Sequence, residues 1–289
     1  MGTKTGVNWC HHTLNPWRGC TPSEPNYGGC DHCYARNDFS VKLHGIKWGP
    51  NERRVIKAES GWSEPYRWNR AAECAGERRR VFVGSLMDFA ERRPELDRPR
   101  ERLWNIIRQC TSLDFLLLTK RIEEVPRLWQ QAWGGGSPEN VWLGATVENQ
   151  PAADARSPIL CRIPAAKRFL SVEPMLGPIE LTDRCRSHNP DASAQCSMAM
   201  GHHGYHRALR PTGGWGRDEP QFPAIDWVIV GGESGPNCRP CDPDWIRSVV
   251  EQCRVAGVPV WVKQMGGHPY KRDRLEDIPE DLRIRELPR

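Results

Sequence analysis

A chain of 289 residues can bury a full core, and its 38% apolar and 27% charged residues are the balance of a soluble globular protein. No apolar run reaches the eighteen or so residues of a membrane span, and "MGTKTGVNWCHHTLNPW" lacks the apolar segment of a secretory leader; a cytoplasmic location with reduced thiols and no membrane partner is expected. The excess of 41 basic over 36 acidic residues suits nucleic acid or another anionic partner without requiring one, and 12 cysteines in a reducing setting point to metal or redox chemistry rather than disulfides.

In chain order, "GVNWCHHTLNPW" is a candidate first strand, followed by the cysteine-bearing stretch "GCTPSEPNYGGCDHCYA" (19 to 35). Six apolar runs then turn abruptly polar: "RVFVGSLMD" (80 to 88), "DFLLLTK" (114 to 120), "NVWLGATVE" (140 to 148), "KRFLSVEP" (167 to 174), "DWVIVGGE" (226 to 233) and "VPVWVKQMG" (258 to 266). Runs apolar on both faces are those of buried parallel strands. Between the first two, Leu103, Trp104, Ile106, Ile107 and Cys110 share one helical face; "DPDWIRSVVEQCRVAG" carries Asp242 as a cap, with Trp245, Val249 and Cys253 on one side. The alternation predicts a single α/β domain, a parallel βα barrel or part-barrel over 1 to 289, whose functional groups gather at the C-terminal strand ends. Residues 183 to 224 are polar and rich in Gly and Pro, and read as an insertion on that barrel. Of the 13 tryptophans, Trp62, Trp68 and Trp215 sit in polar stretches; core or groove packing is the ordinary role, base stacking the sharper one.

Nine residues separate Cys20 from Cys30, and Cys30 and Cys33 form a C-x-x-C pair. A structural zinc takes four protein ligands, so His32 or a remote side chain would have to complete it. Three cysteines alone suit a 4Fe–4S cluster that leaves one iron open to a small molecule, and Gly19, Gly28 and Gly29 would let the backbone fold closely around it. A zinc knuckle and unligated thiols are the other readings of the same residues. Cys74, Cys110 and Cys253 read as loop or helix-face thiols.

The motifs "NPWRGCTPSEPNYGGCDHCYA", "VFVGSLMDFAE", "LLLTKR", "WLGATVENQ", "RFLSVEPMLGPIEL", "DWVIVGGESGP" and "VPVWVKQMGG" run in order over nearly the whole chain, outside the insertion and the last twenty or so residues. Together they resemble a phage-associated three-cysteine family related to the radical S-adenosylmethionine (SAM) enzymes. The resemblance implies a radical-SAM-like part-barrel, a 4Fe–4S cluster on Cys20, Cys30 and Cys33, and SAM chelating the fourth iron. It further implies an external electron donor and reductive cleavage of SAM to a 5′-deoxyadenosyl radical.

This sequence departs from the wider superfamily in its first cysteine gap, nine residues instead of three. The departure is tolerable, since doubling a flexible loop costs only about 0.6 kcal/mol. His32 takes the place of an aromatic residue near the adenine. The Gly-Gly-Glu motif, expected after an early strand, is late here as Gly231, Gly232 and Glu233; Ser85 and Asp88 hold the early place, so they are assigned to the SAM side. Glu148 and Glu173 are candidates for ribose or substrate amine contacts, and Lys120, Arg121 and Lys263 for an anionic substrate such as a nucleotide phosphate. For each of these charged residues an ion pair closing the barrel end is an equally good account.

The insertion offers a second metal set, with Cys185, Cys196, His202 and His206 as zinc ligands, His188 and His203 in the same 22-residue stretch, and the Cys238–Cys241 C-x-x-C pair nearby in the barrel scheme. Two classes of function follow: a radical SAM enzyme acting on a nucleobase or nucleotide in phage DNA hypermodification, with carbon rearrangement of a modified thymine as the specific reaction, or a zinc-dependent nucleic-acid-binding module without catalysis.

Overall fold

The computed structural model describes residues 5–36, 45–181, 225–235, 237–267 and 274–289. The insertion expected at 183 to 224, with Cys185, Cys196, His202 and His206, lies outside them. In chain order the strands are β1 (His12–Leu14), β2 (Trp17–Arg18), β3 (Val55–Ile56), β4 (Arg79–Val83), β5 (Leu113–Thr119), β6 (Val141–Thr146), β7 (Lys167–Val172), β8 (Trp227–Gly231) and β9 (Val260–Gln264). The helices are α1 (Glu64–Cys74), α2 (Asp97–Gln109), α3 (Val125–Trp133), α4 (Gln150–Arg162) and α5 (Pro243–Ala256). Seven strands form one all-parallel sheet in the order β1-β4-β5-β6-β7-β8-β9; β2 and β3 make a separate antiparallel pair. All six apolar runs therefore contain strands, each shorter than its run except β5, which equals its run in length and starts one residue earlier. The candidate first strand contracts to three residues, and the β2–β3 pair was not expected.

Side chains alternate across the sheet, which divides the core in two. One face sends Val81, Val83, Phe115, Leu117, Leu143, Val172, Val228 and Val262 against Leu103, Ile107, Leu128, Leu160, Ile246 and Val249 of the helices. The other face carries Phe82, Leu116, Trp142, Phe169, Trp227, Ile229 and Trp261, joined by Trp9. Trp227 is fully buried, with the Trp9, Trp142, Phe169 and Trp261 rings 6.0–6.3 Å from it.

That cluster fixes the curvature. Six interstrand gaps of about 4.8 Å would hold the edges of a flat sheet roughly 29 Å apart. Yet Trp9, just before β1, and Trp261, on β9, both touch Trp227, and Trp261 Nε1 donates to Asn8 Oδ1 at 3.3 Å. The sheet curls until its two edges meet at the N-terminal end, giving an α/β parallel part-barrel floored by aromatic rings. The free edge of β9 is covered by the C-terminal segment, where Val262 N donates to Ile284 O and Glu286 N to Val260 O.

Two-residue steps up the inner face lead from this floor to polar groups: Leu116–Leu118–Lys120, Trp142–Gly144–Thr146–Glu148, Phe169–Ser171–Glu173 and Trp261–Lys263. Strand periodicity alone thus delivers charged side chains to the C-terminal mouth. No described helix is long and apolar enough to cross a membrane.

Candidate active site

The loop holding Cys20, Cys30 and Cys33 lies over this mouth, tied down from nearly every strand end. At its start, Thr21 N donates to Glu91 Oε1 at 3.0 Å, and the buried Arg54 guanidinium bridges Glu91 (Nε to Oε2, 2.9 Å) and Thr21 Oγ1 (2.6 Å). In its middle, Asn149 Nδ2 donates to Tyr27 O at 2.9 Å while Asn149 Oδ1 caps α4 through Ala152 N. Arg239 Nη2 donates to Gly28 O at 2.8 Å. At its end, Tyr34 OH donates to Ser85 O at 2.6 Å. Ser85 Oγ accepts from Asn15 Nδ2 at 2.8 Å, so the ends of β1 and β4 are joined beneath the loop.

Two consecutive residues after β5 supply cations to the two ends of the loop. Arg121 Nη1 approaches Cys20 Sγ at 3.7 Å and Asp88 Oδ2 at 2.9 Å, and Nη2 donates to Thr21 O at 2.5 Å. Asp88 also accepts from Thr119 Oγ1, Lys120 N and Ala90 N, so its carboxylate organises the β4 and β5 ends. Lys120 turns the other way, its Nζ 3.4 Å from Glu148 Oε1. Burial works to lower the Lys120 ammonium, but the Glu148 carboxylate and the Cys30 and Cys33 sulfurs outweigh it and hold the group above its ordinary value. Burial pushes the Cys20 thiol up to about 12 against the lowering pull of Arg121, and also raises Cys33.

Glu148 is fully buried; Arg156 Nη1 donates to its Oε2 at 2.7 Å, while Oε1 has no hydrogen-bond partner. A methyl group at Gly29 would overlap this carboxylate, so the cysteine loop rests directly on it. Around β8, Gly232 lies so close to Met265 that a side chain there would meet the Met265 carbonyl. The Gly-Gly pair lets β8 and β9 converge at the register shift between Val230 and Gly231. Both Glu233 oxygens are taken by Arg239, at 2.6 and 3.0 Å, and His32 Nδ1 lies 3.0 Å from Asn237 O and 3.7 Å from Glu233. On the remaining side, Lys263 Nζ donates to Glu173 Oε1 at 2.5 Å, beside Ser234 Oγ at 3.4 Å.

These residues fit a thiolate-bound cluster. Cys20, Cys30 and Cys33 are unpaired thiols, Gly29 gives the loop its close seat, and buried cations flank the sulfurs. Among the described residues no three His, Cys, Asp or Glu side chains gather as ligands of a single ion. A cubane takes each cysteine on a different iron and does not ask for such convergence.

A model of the family described as "Protein of unknown function (DUF5131)" matches residues 4–283. The chain belongs to this family. No curated protein matches it. Two solved structures resemble this member of the family. One is a spore photoproduct lyase with a single cysteine-to-serine substitution, at TM-score 0.41 and 16% identity over 59% of this chain and 48% of the other. The second is a doubly substituted form of that lyase with bound AdoMet and dinucleoside spore photoproduct, at 0.39 and 14%, over 57% and 46%. The chain thus spans about half the length of the structures it matches.

The structure gathers His32, Ser85, Asp88, Lys120, Arg121, Glu148, Glu173, Gly231, Gly232, Glu233 and Lys263 around one mouth with the three cysteines. Within it, Asp88, Arg121 and Glu233 are engaged by protein partners, and Glu173 and Lys263 are paired with each other beside Ser234. Trp62 and Trp68 are buried: Trp62 lies under the Arg102 guanidinium, and Trp68 stacks on His12 at 4.3 Å. Sequence reasoning singled out neither Arg54 and Glu91 nor Arg156 and Arg239, nor the links made by Asn15 and Asn149. Asn15, inside "NPWRGC", and Asn149, inside "TVENQ", follow strand-like runs just as Asp88 does, and that was a usable signal. The arginines carry none, because their partners are distant in sequence.

Proposed function

We propose that this chain is a radical SAM enzyme. The observation that carries the reading is the seating of one loop with three thiols over the C-terminal mouth of a parallel part-barrel, with Arg121 at Cys20 and Lys120 paired with Glu148 beneath the loop. The ordered resemblance over seven motifs supports it. Cys20, Cys30 and Cys33 would hold a 4Fe–4S cluster, and His32, Ser85 and the backbone at Gly231 and Gly232 would contact SAM beside it. When bound, this pair supplies reductive cleavage of a carbon–sulfur bond of SAM and, through it, hydrogen abstraction from an unactivated carbon.

The chain's own residues bind, orient and exclude water. The aromatic floor closes the barrel below the mouth, Glu148 and Arg156 hold the seat of the loop, and Asp88 fixes the β4 and β5 ends. Glu148 Oε1 is buried under Gly29, and its charge is met by the Lys120 ammonium at 3.4 Å. Glu173 and Lys263, paired with each other, would have to exchange that bond for contacts to a substrate. We infer a nucleobase or nucleotide, from the basic balance of the chain and the Lys263 ammonium at the mouth. Carbon rearrangement of a modified thymine in phage DNA is the specific reaction put forward, with an external protein or chemical donor supplying the electron.

Anaerobic reconstitution tests the class. A brown protein with about four iron and four sulfide per chain is expected; a colourless protein holding only zinc would overturn the radical SAM reading and leave the zinc-dependent module as the alternative. Release of 5′-deoxyadenosine above the substrate-free rate, measured with modified DNA, free nucleotides and a peptide pool, tests the substrate. A response confined to peptides overturns the nucleotide reading.

A further inference from the structure

The Arg121 guanidinium is held on three sides. Its Nη1 spans Cys20 Sγ (3.7 Å) and Asp88 Oδ2 (2.9 Å), and its Nη2 donates to Thr21 O (2.5 Å). None of these acceptors is free to swing. Asp88 Oδ1 accepts from Thr119 Oγ1 at 2.6 Å and Ala90 N at 2.9 Å, and Oδ2 from Lys120 N at 3.1 Å. Thr21 is pinned by Glu91 and Arg54. Both ends of the fork are therefore committed to the cysteine loop, which leaves Arg121 poorly placed to clamp a substrate phosphate. Among the described residues no other charged donor bonds a sulfur of this loop: Cys30 Sγ meets the neutral Ser23 hydroxyl at 3.7 Å.

Net charge and hydrogen bonds to the sulfurs are what set the potential of an iron–sulfur cluster, and outer-shell partners tune what the ligands hold. A guanidinium donating to one ligand sulfur stabilises the added electron; a carboxylate on the same guanidinium opposes it. We propose that Arg121 is a positioning residue for the cluster, raising its reduction potential through the Cys20 sulfur, with Asp88 as the counterweight that limits the rise. The inference rests on the radical SAM reading and concerns the readiness of the cluster to accept an electron, not the binding of substrate.

The test is an anaerobic redox titration of reconstituted protein without SAM, followed by absorbance and electron paramagnetic resonance, after iron and sulfide have been counted. Arg121→Gln is expected to lower the equilibrium constant for one-electron reduction at least tenfold, a shift of about 59 mV. Asp88→Asn is expected to move the potential the opposite way. Arg121→Lys, which keeps the charge and loses the fork, should fall between wild type and Arg121→Gln. Arg121→Gln protein with a full cluster and the wild-type potential overturns the proposal. If that variant does not load iron, Arg121→Lys and Asp88→Asn decide: opposite shifts support the proposal, and unchanged potentials overturn it. A wild-type chain that takes up no iron sinks the enzymatic reading and this inference together, an outcome distinguishable from the first because it is seen before any titration.

Discussion

Gly29 lies against the Glu148 carboxylate so closely that no side chain can be placed between them. The loop of three cysteines is thereby seated on the end of β6, and Gly29→Ala should unseat it. Overpacking of this kind typically costs about 1–3 kcal/mol. Here the cost falls on the loop rather than on the barrel, so iron per chain after reconstitution should drop severalfold while the far-ultraviolet circular dichroism stays that of the wild type. Iron retention at the wild-type level would show that the seat does not matter.

The cysteines divide by place. Alanine at Cys20, Cys30 or Cys33 should abolish cluster assembly and SAM cleavage, whereas alanine at Cys74, Cys110 or Cys253 should leave both intact. Cys110 and Cys253 are fully buried and Cys74 is exposed, and none lies at the mouth. Substitution of the two buried thiols should cost stability, about 1 kcal/mol from the small cavity, read as a lower Tm with unchanged iron.

His12 gives the fold a pH dependence of its own. Its ring stacks on Trp68, both ring nitrogens are without partners, and burial, with Arg79 and His11 adding to it and Glu64 opposing, lowers its pKa to about 4. In the unfolded chain His titrates near 6.5, so between about 4 and 6.5 the unfolded state binds more protons. Stability from this group is complete above that window and is lost as pH falls through it. The Tm should decline on acidification across this range, and His12→Phe, which keeps the stack without the titrating ring, should flatten the decline. An identical slope in the variant would assign the effect elsewhere.

Cys185, Cys196, His202 and His206 remain a proposal drawn from sequence. If they bind zinc, metal analysis of the reconstituted protein should find zinc beside iron, and the double substitution Cys185→Ser, Cys196→Ser should remove it while sparing the iron–sulfur spectrum. Stoichiometric iron with no zinc in the wild type would leave this stretch without a metal role.

The strands were legible because parallel strands buried on both faces leave continuous apolar runs, as in "DFLLLT", and a run ends where the chain leaves the sheet. The same reasoning overextended the first strand and passed over β2 and β3, since elements of two or three residues show no period. Helix α4 was easy to miss, with Pro158 in its interior and Pro151 near its start. At the site, the cysteine spacing and the polar residues just past β4, β5 and β6 were visible because each is a local pattern. What fastens them together was not. Arg54 and Glu91 are 37 residues apart, Arg121 and Cys20 101, and Arg239 and Gly28 211. Pairing over such distances is decided by how the sheet curls, and a list of strands does not contain that curl.

The ring of Trp9, Trp142, Phe169 and Trp261 around Trp227 makes the barrel a cup rather than a tube. A tube could admit one reactant at each end. Among the described residues a cup has a single rim, and the cysteine loop lies across it, so under the radical SAM reading cofactor, substrate and electron donor would have to share that rim and queue for it. A substrate large enough to cover the rim would then shut out the reductant, and the order in which the two arrive becomes a property of the floor, set by five aromatic side chains that touch neither.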